Sequence, residues 1–203
     1  MKTIQETKRK RLDELNARMA EVCLCALRET ATQAVPGDGN ADADILFIGE
    51  APGKKEDETG VPFVGAAGKF LSEMLASVNL SREDIYITNV VKYRPPENRD
   101  PFPDEIEACA EWLAEQVALI DPKIIVTLGR HALSRFFPDA KISDVHGHAF
   151  RREMPGFGNR LFYVLYHPAA ALYNGGMRDM LKQDFLRIPT LLGRTGEKKT
   201  PDV

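Results

Sequence analysis

The sequence predicts an α/β protein: a three-layer sandwich with a central parallel sheet of four strands and helices on both faces. Two patterns predict it. Short apolar runs alternate along the chain with amphipathic helical stretches, as in βαβ units. Each apolar run is continuous rather than alternating with polar residues, which suits strands buried on both faces. A third observation concerns function. Unusual residues gather just after these runs, where open parallel sheets bind ligands.

Residues 3–30 read as a mostly helical arm, with Leu12, Leu15, Met19 and Val22 at helical spacing. The glycines, prolines and aspartates of 34–44 make a loop. The first strand is ILFIG, 45–49. A helix follows at 68–78, then a second strand within DIYITNVV, 84–91. Residues 93–103 carry four prolines, which remove donors and fix φ, so no regular element forms there. The helix over 104–120 takes Asp104 as its N-cap and has acids in its first turn. KIIVTLG, 123–129, is the third strand, with the helix RHALSRFF after it. ISDVHGHAFRRE reads as a turn and an edge hairpin, RLFYVLYHP (160–168) as the fourth strand, and 178–192 as the closing helix. The whole chain, 1–203, reads as one domain whose residues 193–203 form a mobile tail.

Composition narrows the classes. The chain has 203 residues, 43% of them hydrophobic and 28% charged, as in a soluble globule. It lacks an apolar run long enough to span a membrane, and its N-terminus is charged with no apolar stretch behind it, unlike a secretory signal. Three cysteines point to a reducing, cytoplasmic setting rather than a disulfide framework. A net charge of −3 argues neither for nor against nucleic acid, but any DNA contact must use a local patch and a small footprint. The basic cluster at 8–11 reads as a solvated helix face.

The strand exits carry the chemistry. GEAPGKKEDETGVPF, 49–63, holds three glycines, two prolines and four acids. It lacks the spacing and the Lys-Ser/Thr pair of a nucleotide P-loop. Glu50, Glu56, Asp57 and Glu58 suit a magnesium site or a solvated loop, and Phe63 suits core packing or a stacking platform. Asn89 ends the second strand, where it ties down a turn or reads a ligand edge. Pro168 stops the fourth strand and puts His167 at the rim of the sheet. After it, Ala169 to Ala171, with Leu172 and Tyr173, form a loop slim enough to enter a groove or the start of a helix. Together these groups suit a planar base with amide-like edges. Phe63 would stack on it, Asn89 would read an N–H beside a C=O, and His167 would donate to an oxygen that gains charge as the base departs.

Four segments in this order, GEAPGKKEDETGVPFVGAAGKFL, ITNVVKYRPPENRDPFPDEIEAC, TLGRHAL and HPAAAL, resemble the signature segments of uracil-DNA glycosylases, most closely the type-4 branch, from about Cys25 to Leu192. A uracil-DNA-trapping relative has a Gln after its first motif Gly and an extra basic loop; here Glu50 and Ala51 stand in GEAPG, and the loop is missing. The resemblance implies flipping of uracil from single- or double-stranded DNA and hydrolysis of its N-glycosidic bond by a monomer, as a step of base excision repair. It implies that Glu56, or more weakly Asp57, orients water and stabilises the sugar cation. His167 and a backbone N–H at Gly49–Glu50 would hold uracil O2, while Phe63 stacks and Asn89 pairs with O4 and N3. Backbone N–H groups near Ala66, Ala67 and Ala170 would grip phosphate, and Pro168 and Ala169 would shape the DNA-facing loop with Leu172 and Tyr173 as wedges. No catalytic metal is implied. A uracil-DNA binding protein with little turnover, or a magnesium-dependent hydrolase using the 50–58 acids, are the rival readings.

Type-4 enzymes resemble one another in four cysteines that hold an iron–sulfur cluster. Only Cys25 and Cys109 fit those positions; Val22 and Tyr93 stand at the others, and Cys23 is one residue out of register. Two or three thiolates do not complete a four-thiolate site. The expectation is a chain without the cluster, its place filled by Tyr93 and Val22.

Overall fold

The computed structural model describes residues 2–195, so the predicted tail from 196 onward lies outside the described residues. Three strands rise directly from the apolar runs: β2 (Ile45–Gly49), β3 (Tyr86–Asn89) and β4 (Ile124–Leu128), every residue of which is buried. The fourth run gives β6 (Gly158–Leu165). These four are mutually parallel, in the order β3-β2-β4-β6. The sheet has six strands rather than four, because each edge gains an antiparallel strand. β1 (Asp38–Gly39) pairs with β3, inside the stretch read as a loop, and β5 (Ala149–Met154) forms the edge hairpin with β6. Neither edge strand announces itself by apolar content: β1 is two residues long, and most of β5 is exposed.

Strand alternation divides the core in two. Leu46, Ile48, Ile125 and Phe162 face one side, where helices α1 (Lys2–Val22), α4 (Pro103–Ile120) and α5 (Arg130–Phe136) pack. Ile45, Phe47, Val126 and Tyr163 face the other, against α3 (Ala66–Ala76), α7 (Gly175–Phe185) and the start of α8 (Ile188–Thr195). The closing helix is thus two helices, and residues 193–195 continue α8 rather than beginning the tail. Two short helices remain, α2 (Lys54–Thr59) and α6 (Ile142–Val145). No helix of the described residues is long and apolar enough to cross a membrane.

Asp104 is not the cap of α4. The helix begins one residue earlier at Pro103, with Phe102 as N-cap, and the Glu105 carboxylate accepts the Phe102 N–H at 2.7 Å. Proline suits the first turn, where its missing N–H has no intrahelical partner to lose. The 8–11 basic cluster is largely committed within the fold: Lys8 donates to Ile120 O and pairs with Asp42, and Arg9 pairs with Asp13.

The three cysteines meet between the end of α1 and the face of α4. Cys23, Cys25 and Cys109 are all buried free thiols. Cys23 points to Ala108 O and Cys25 to Glu105 O, at 3.7 and 3.6 Å. The proximity of Cys109 lowers the Cys23 pKa to about 6, and that of Cys109 is raised in turn. Tyr93, 2% exposed, is buried alongside them, and burial pushes its phenol up to about 12. Val22 does not fill this space, being 49% exposed. The helix turns Val22 outward, and Cys23 packs inward in its stead. Three thiols packed around a phenol offer no fourth sulfur, so these residues do not fit a four-cysteine cluster. Tyr93→Ala should leave a cavity and cost about 3 kcal/mol, read as a lower urea midpoint with an unchanged m-value.

Candidate active site

The strand order reverses about β2: the chain leaves β2 for β3 on one side and returns to β4 on the other. Such switch points open a crevice at the carboxyl ends of the strands. A cleft of about 340 Å3 lies there, and Glu50, Glu56, Phe63, Ala67, Asn89 and His167 line it. Pro95, Asn98 and Arg99 of the proline-rich segment form another part of the wall.

Parallel pairing sets Gly49 of β2 beside Asn89 of β3. A Cβ at Gly49 would stand 2.4 Å from Asn89 Oδ1 and 2.7 Å from Phe63 Cζ. Glycine is therefore what lets the amide and the ring close over this strand end. Asn89 is 1% exposed, and its Oδ1 is buried with no hydrogen-bond partner among the described residues. A buried orphan acceptor costs on the order of 1–3 kcal/mol, a cost that a ligand N–H would remove.

Phe63 holds a left-handed backbone, φ 55°, a conformation that a non-glycine residue adopts at a cost. Arg82 holds it there, donating to Pro62 O at 2.7 Å and Phe63 O at 2.9 Å. Behind it, a Cβ at Gly68 would fall 1.7 Å from Phe63 O, so α3 can approach only without a side chain. The Phe63 and His167 rings lie 5.6 Å apart, tilted by 33°. His167 Nδ1 accepts the Ala169 N–H at 3.1 Å. The ring proton of the neutral imidazole is therefore on Nε2. Burial lowers the His167 pKa to about 4, against the opposing pull of Glu56.

The acids of 50–58 separate, because residues 54–59 form helix α2, which the glycine and charge content of this stretch conceals. Glu56 Oε1 accepts the Val64 and Gly65 N–H groups at 2.9 and 2.8 Å. Asp57, 5% exposed, faces away from the cleft and binds Thr32 N, Thr32 Oγ1 and Gln33 N. It anchors the loop before β1 and does not reach the cleft, so it drops out as a water-orienting group. Glu58 pairs with Lys54 at 4.0 Å on the surface. The four acids therefore form no common magnesium cage among the described residues. Glu50 instead comes near Asp100 and His131, and burial, aided by Asp100, raises its pKa to about 7. The Arg130 guanidinium already spans Asp100 and His131 there.

At the start of α3, Gly65 supplies no side-chain cap, and Ala66 and Ala67 lie in its first turn. The Ala170 amide is not available for phosphate: it donates to His167 O at 2.9 Å, within the 3-10 turn Pro168–Ala171. Pro168 is buried and Ala169 exposed. Leu172 packs partly against the core, while Tyr173 projects, 97% exposed. Sequence reasoning assigned no role to Arg82, His131 or Lys92, which support or border the site; His131 and Lys92 lie inside the segments that carry the resemblance, but residue order does not show what they touch. Gly49→Ala should destabilise the fold by about 1–3 kcal/mol through overpacking, seen as a lowered thermal midpoint.

Comparison with known proteins gives the family. The Uracil DNA glycosylase superfamily matches residues 36–188. A type-4 uracil-DNA glycosylase of Archaeoglobus fulgidus is 46% identical over 189 residues, covering 90% of this chain and 94% of the relative. One from Saccharolobus solfataricus is 47% identical, covering 83% of this chain and 80% of its own. One from Thermotoga maritima is 38% identical, covering 94% and 99%. With a family match across most of its length and relatives of this identity, the chain belongs to the uracil-DNA glycosylase superfamily.

Proposed function

We propose that this protein is a uracil-DNA glycosylase that extrudes uracil from DNA and hydrolyses its N-glycosidic bond. The observation that carries the reading is the orphan Oδ1 of Asn89, in the same cleft as the stacking face of Phe63 and the neutral His167. Uracil offers an N–H beside a carbonyl, which Asn89 matches with one acceptor and one donor. Cytosine presents the reverse pattern.

Cleavage leaves a cationic sugar and an anionic base. His167, held neutral, donates from Nε2 to the oxygen that gains charge; a preorganised donor of this kind is worth about 3 kcal/mol of barrier. Glu56 has one oxygen tied to two backbone amides. Its other oxygen orients the attacking water and faces the sugar cation. The backbone N–H groups of Ala66 and Ala67 lie at an uncapped helix N-terminus, which attracts a phosphate. Tyr173 supplies the exposed wedge, helping to offset an unstacking cost of a few kcal/mol. This small footprint accords with a net charge of −3. The chain works without an iron–sulfur cluster, a reading supported by three thiols packed around Tyr93, and the free thiols suit the cytoplasm.

His167→Ala and Asn89→Ala should each lower excision about 10²–10³-fold while leaving the circular-dichroism spectrum unchanged. Alkali cleavage of a uracil-containing oligonucleotide reads this; a gel shift without strand breaks would favour the binding-protein alternative. Because His167 stays neutral until pH falls towards about 4, its contribution should be constant from pH 6 to 8. The ratio of wild-type to His167→Ala rates should stay level across that window and change only in acid, where a proton on Nδ1 displaces the Ala169 N–H that it accepts. The purified protein should be colourless and free of iron by mass spectrometry; stoichiometric iron with brown absorbance would overturn the cofactor reading.

A further inference from the structure

Lys92 lies completely buried, 0% exposed, next to the turn that leaves β3. No salt bridge to it is found among the described residues. Its Nζ donates instead to three neutral oxygens: Thr88 Oγ1 at 2.6 Å, Asn89 O at 2.8 Å and Gln116 Oε1 at 2.8 Å. An ammonium has three N–H donors, and each finds an acceptor here. Burying an ammonium is costly: desolvation lowers the Lys92 pKa to about 7, against the opposing pull of Cys109 and Cys23. A packed apolar side chain would avoid that cost, so the amine's value lies in what it holds.

Among those three oxygens, one belongs to the residue with the orphan side chain. The Asn89 carbonyl accepts no backbone N–H in the turn, whereas the Gly49 and Glu50 carbonyls accept from Val90 and Val91. The other two acceptors are fixed from behind. Thr88 Oγ1 donates to Pro36 O at 2.6 Å, and Gln116 Nε2 reaches Asn16 Oδ1 and Pro36 O, both at 2.9 Å. The amine therefore ties the Asn89 peptide to α4, and through Gln116 to α1. Asn89 Oδ1 itself lies over Gly49 and has no hydrogen bond among the described residues to hold it, so its direction follows from the peptide that carries it.

We infer that Lys92 is the positioning residue of the uracil-reading amide: its amine pins the Asn89 peptide carbonyl and so fixes the direction of the Asn89 side chain into the cleft. Lys92 touches no substrate and acts only through Asn89. The inference rests on the reading of Asn89 given above. Losing the amine would leave the carbonyl buried and unpaired. The peptide would then rotate to find a partner, and a misplacement of about 1 Å at a reacting site costs on the order of 10²-fold.

A double-mutant cycle tests this, because residues that act through one another are non-additive. Single-turnover excision is measured for the wild type and for Lys92→Met, Asn89→Ala and the double variant, well below each melting temperature. Free uracil is titrated as a product inhibitor. Lys92→Met should slow excision about 10–100-fold and weaken inhibition by uracil, with DNA affinity unchanged. In the Asn89→Ala background it should cost less than about twofold. Lys92→Gln, which keeps a donor, should recover part of the rate; if Lys92→Met fails to fold, Lys92→Leu, which also removes every donor, takes its place in the cycle. Equal losses in both backgrounds, or a Lys92→Met rate within twofold of wild type, would overturn the inference alone. An Asn89→Ala protein that excises at the wild-type rate would overturn the reading of Asn89 and the inference with it.

Discussion

The parallel register that sets Gly49 against Asn89 is the constraint on which the site depends. It brings two strand exits from distant parts of the chain side by side. At that junction one residue must lack a side chain so that an amide and an aromatic edge can occupy its space. A slip of one residue would turn Asn89 to the opposite face of the sheet. The hydrophobic division of β2, with Ile45 and Phe47 on one face and Leu46 and Ile48 on the other, resists such a slip. Packing in the two cores thus fixes the geometry of the cleft.

Around that junction, backbone groups are held in place by side chains remote in sequence. Arg82 clamps the Pro62 and Phe63 carbonyls, Glu56 gathers the Val64 and Gly65 amides, and Lys92 takes the Asn89 carbonyl. Each satisfies polar groups that an irregular loop would otherwise leave unpaired. The left-handed Phe63 persists because its neighbours over-determine it. Rigidity here has a chemical purpose. A donor aimed in advance at developing charge needs no reorganisation during the reaction.

The cysteine region shows the same economy in another setting. Cys23, Cys25 and Cys109 are buried in one cluster, and the first two donate to carbonyls of α4. Tyr93 is buried next to them and reaches towards Met19 O at 3.5 Å. The end of α1 is thereby joined to α4 by packing. This is the region from which the proline-rich wall of the cleft departs, and that wall is stiffened in turn by the Arg99–Glu105 pair and by Arg99 over the Phe102 ring, 3.8 Å from its centroid.

The sequence alone determined the parallel core of the sheet, because four continuous apolar runs separated by helical periodicity admit few other folds. It also marked the exits with Gly49, Asn89 and His167, since a glycine, an amide and an imidazole at strand ends are visible as residue types in order. It could not show β1 or most of β5, whose short or exposed stretches carry no apolar signal. Nor could it distinguish Glu56 from Asp57. Adjacent acids look equivalent in a string, yet a short helix sends one to the cleft and the other to Thr32. The Ala170 amide, free for phosphate as far as residue order goes, is consumed by a local turn, and Val22 is rotated outward at the end of α1. Tertiary structure decided these points. A side chain's role depends on which partners arrive from elsewhere in the chain, and Lys92, a lysine without a salt bridge among the described residues, becomes intelligible only when Thr88, Asn89 and Gln116 meet around it.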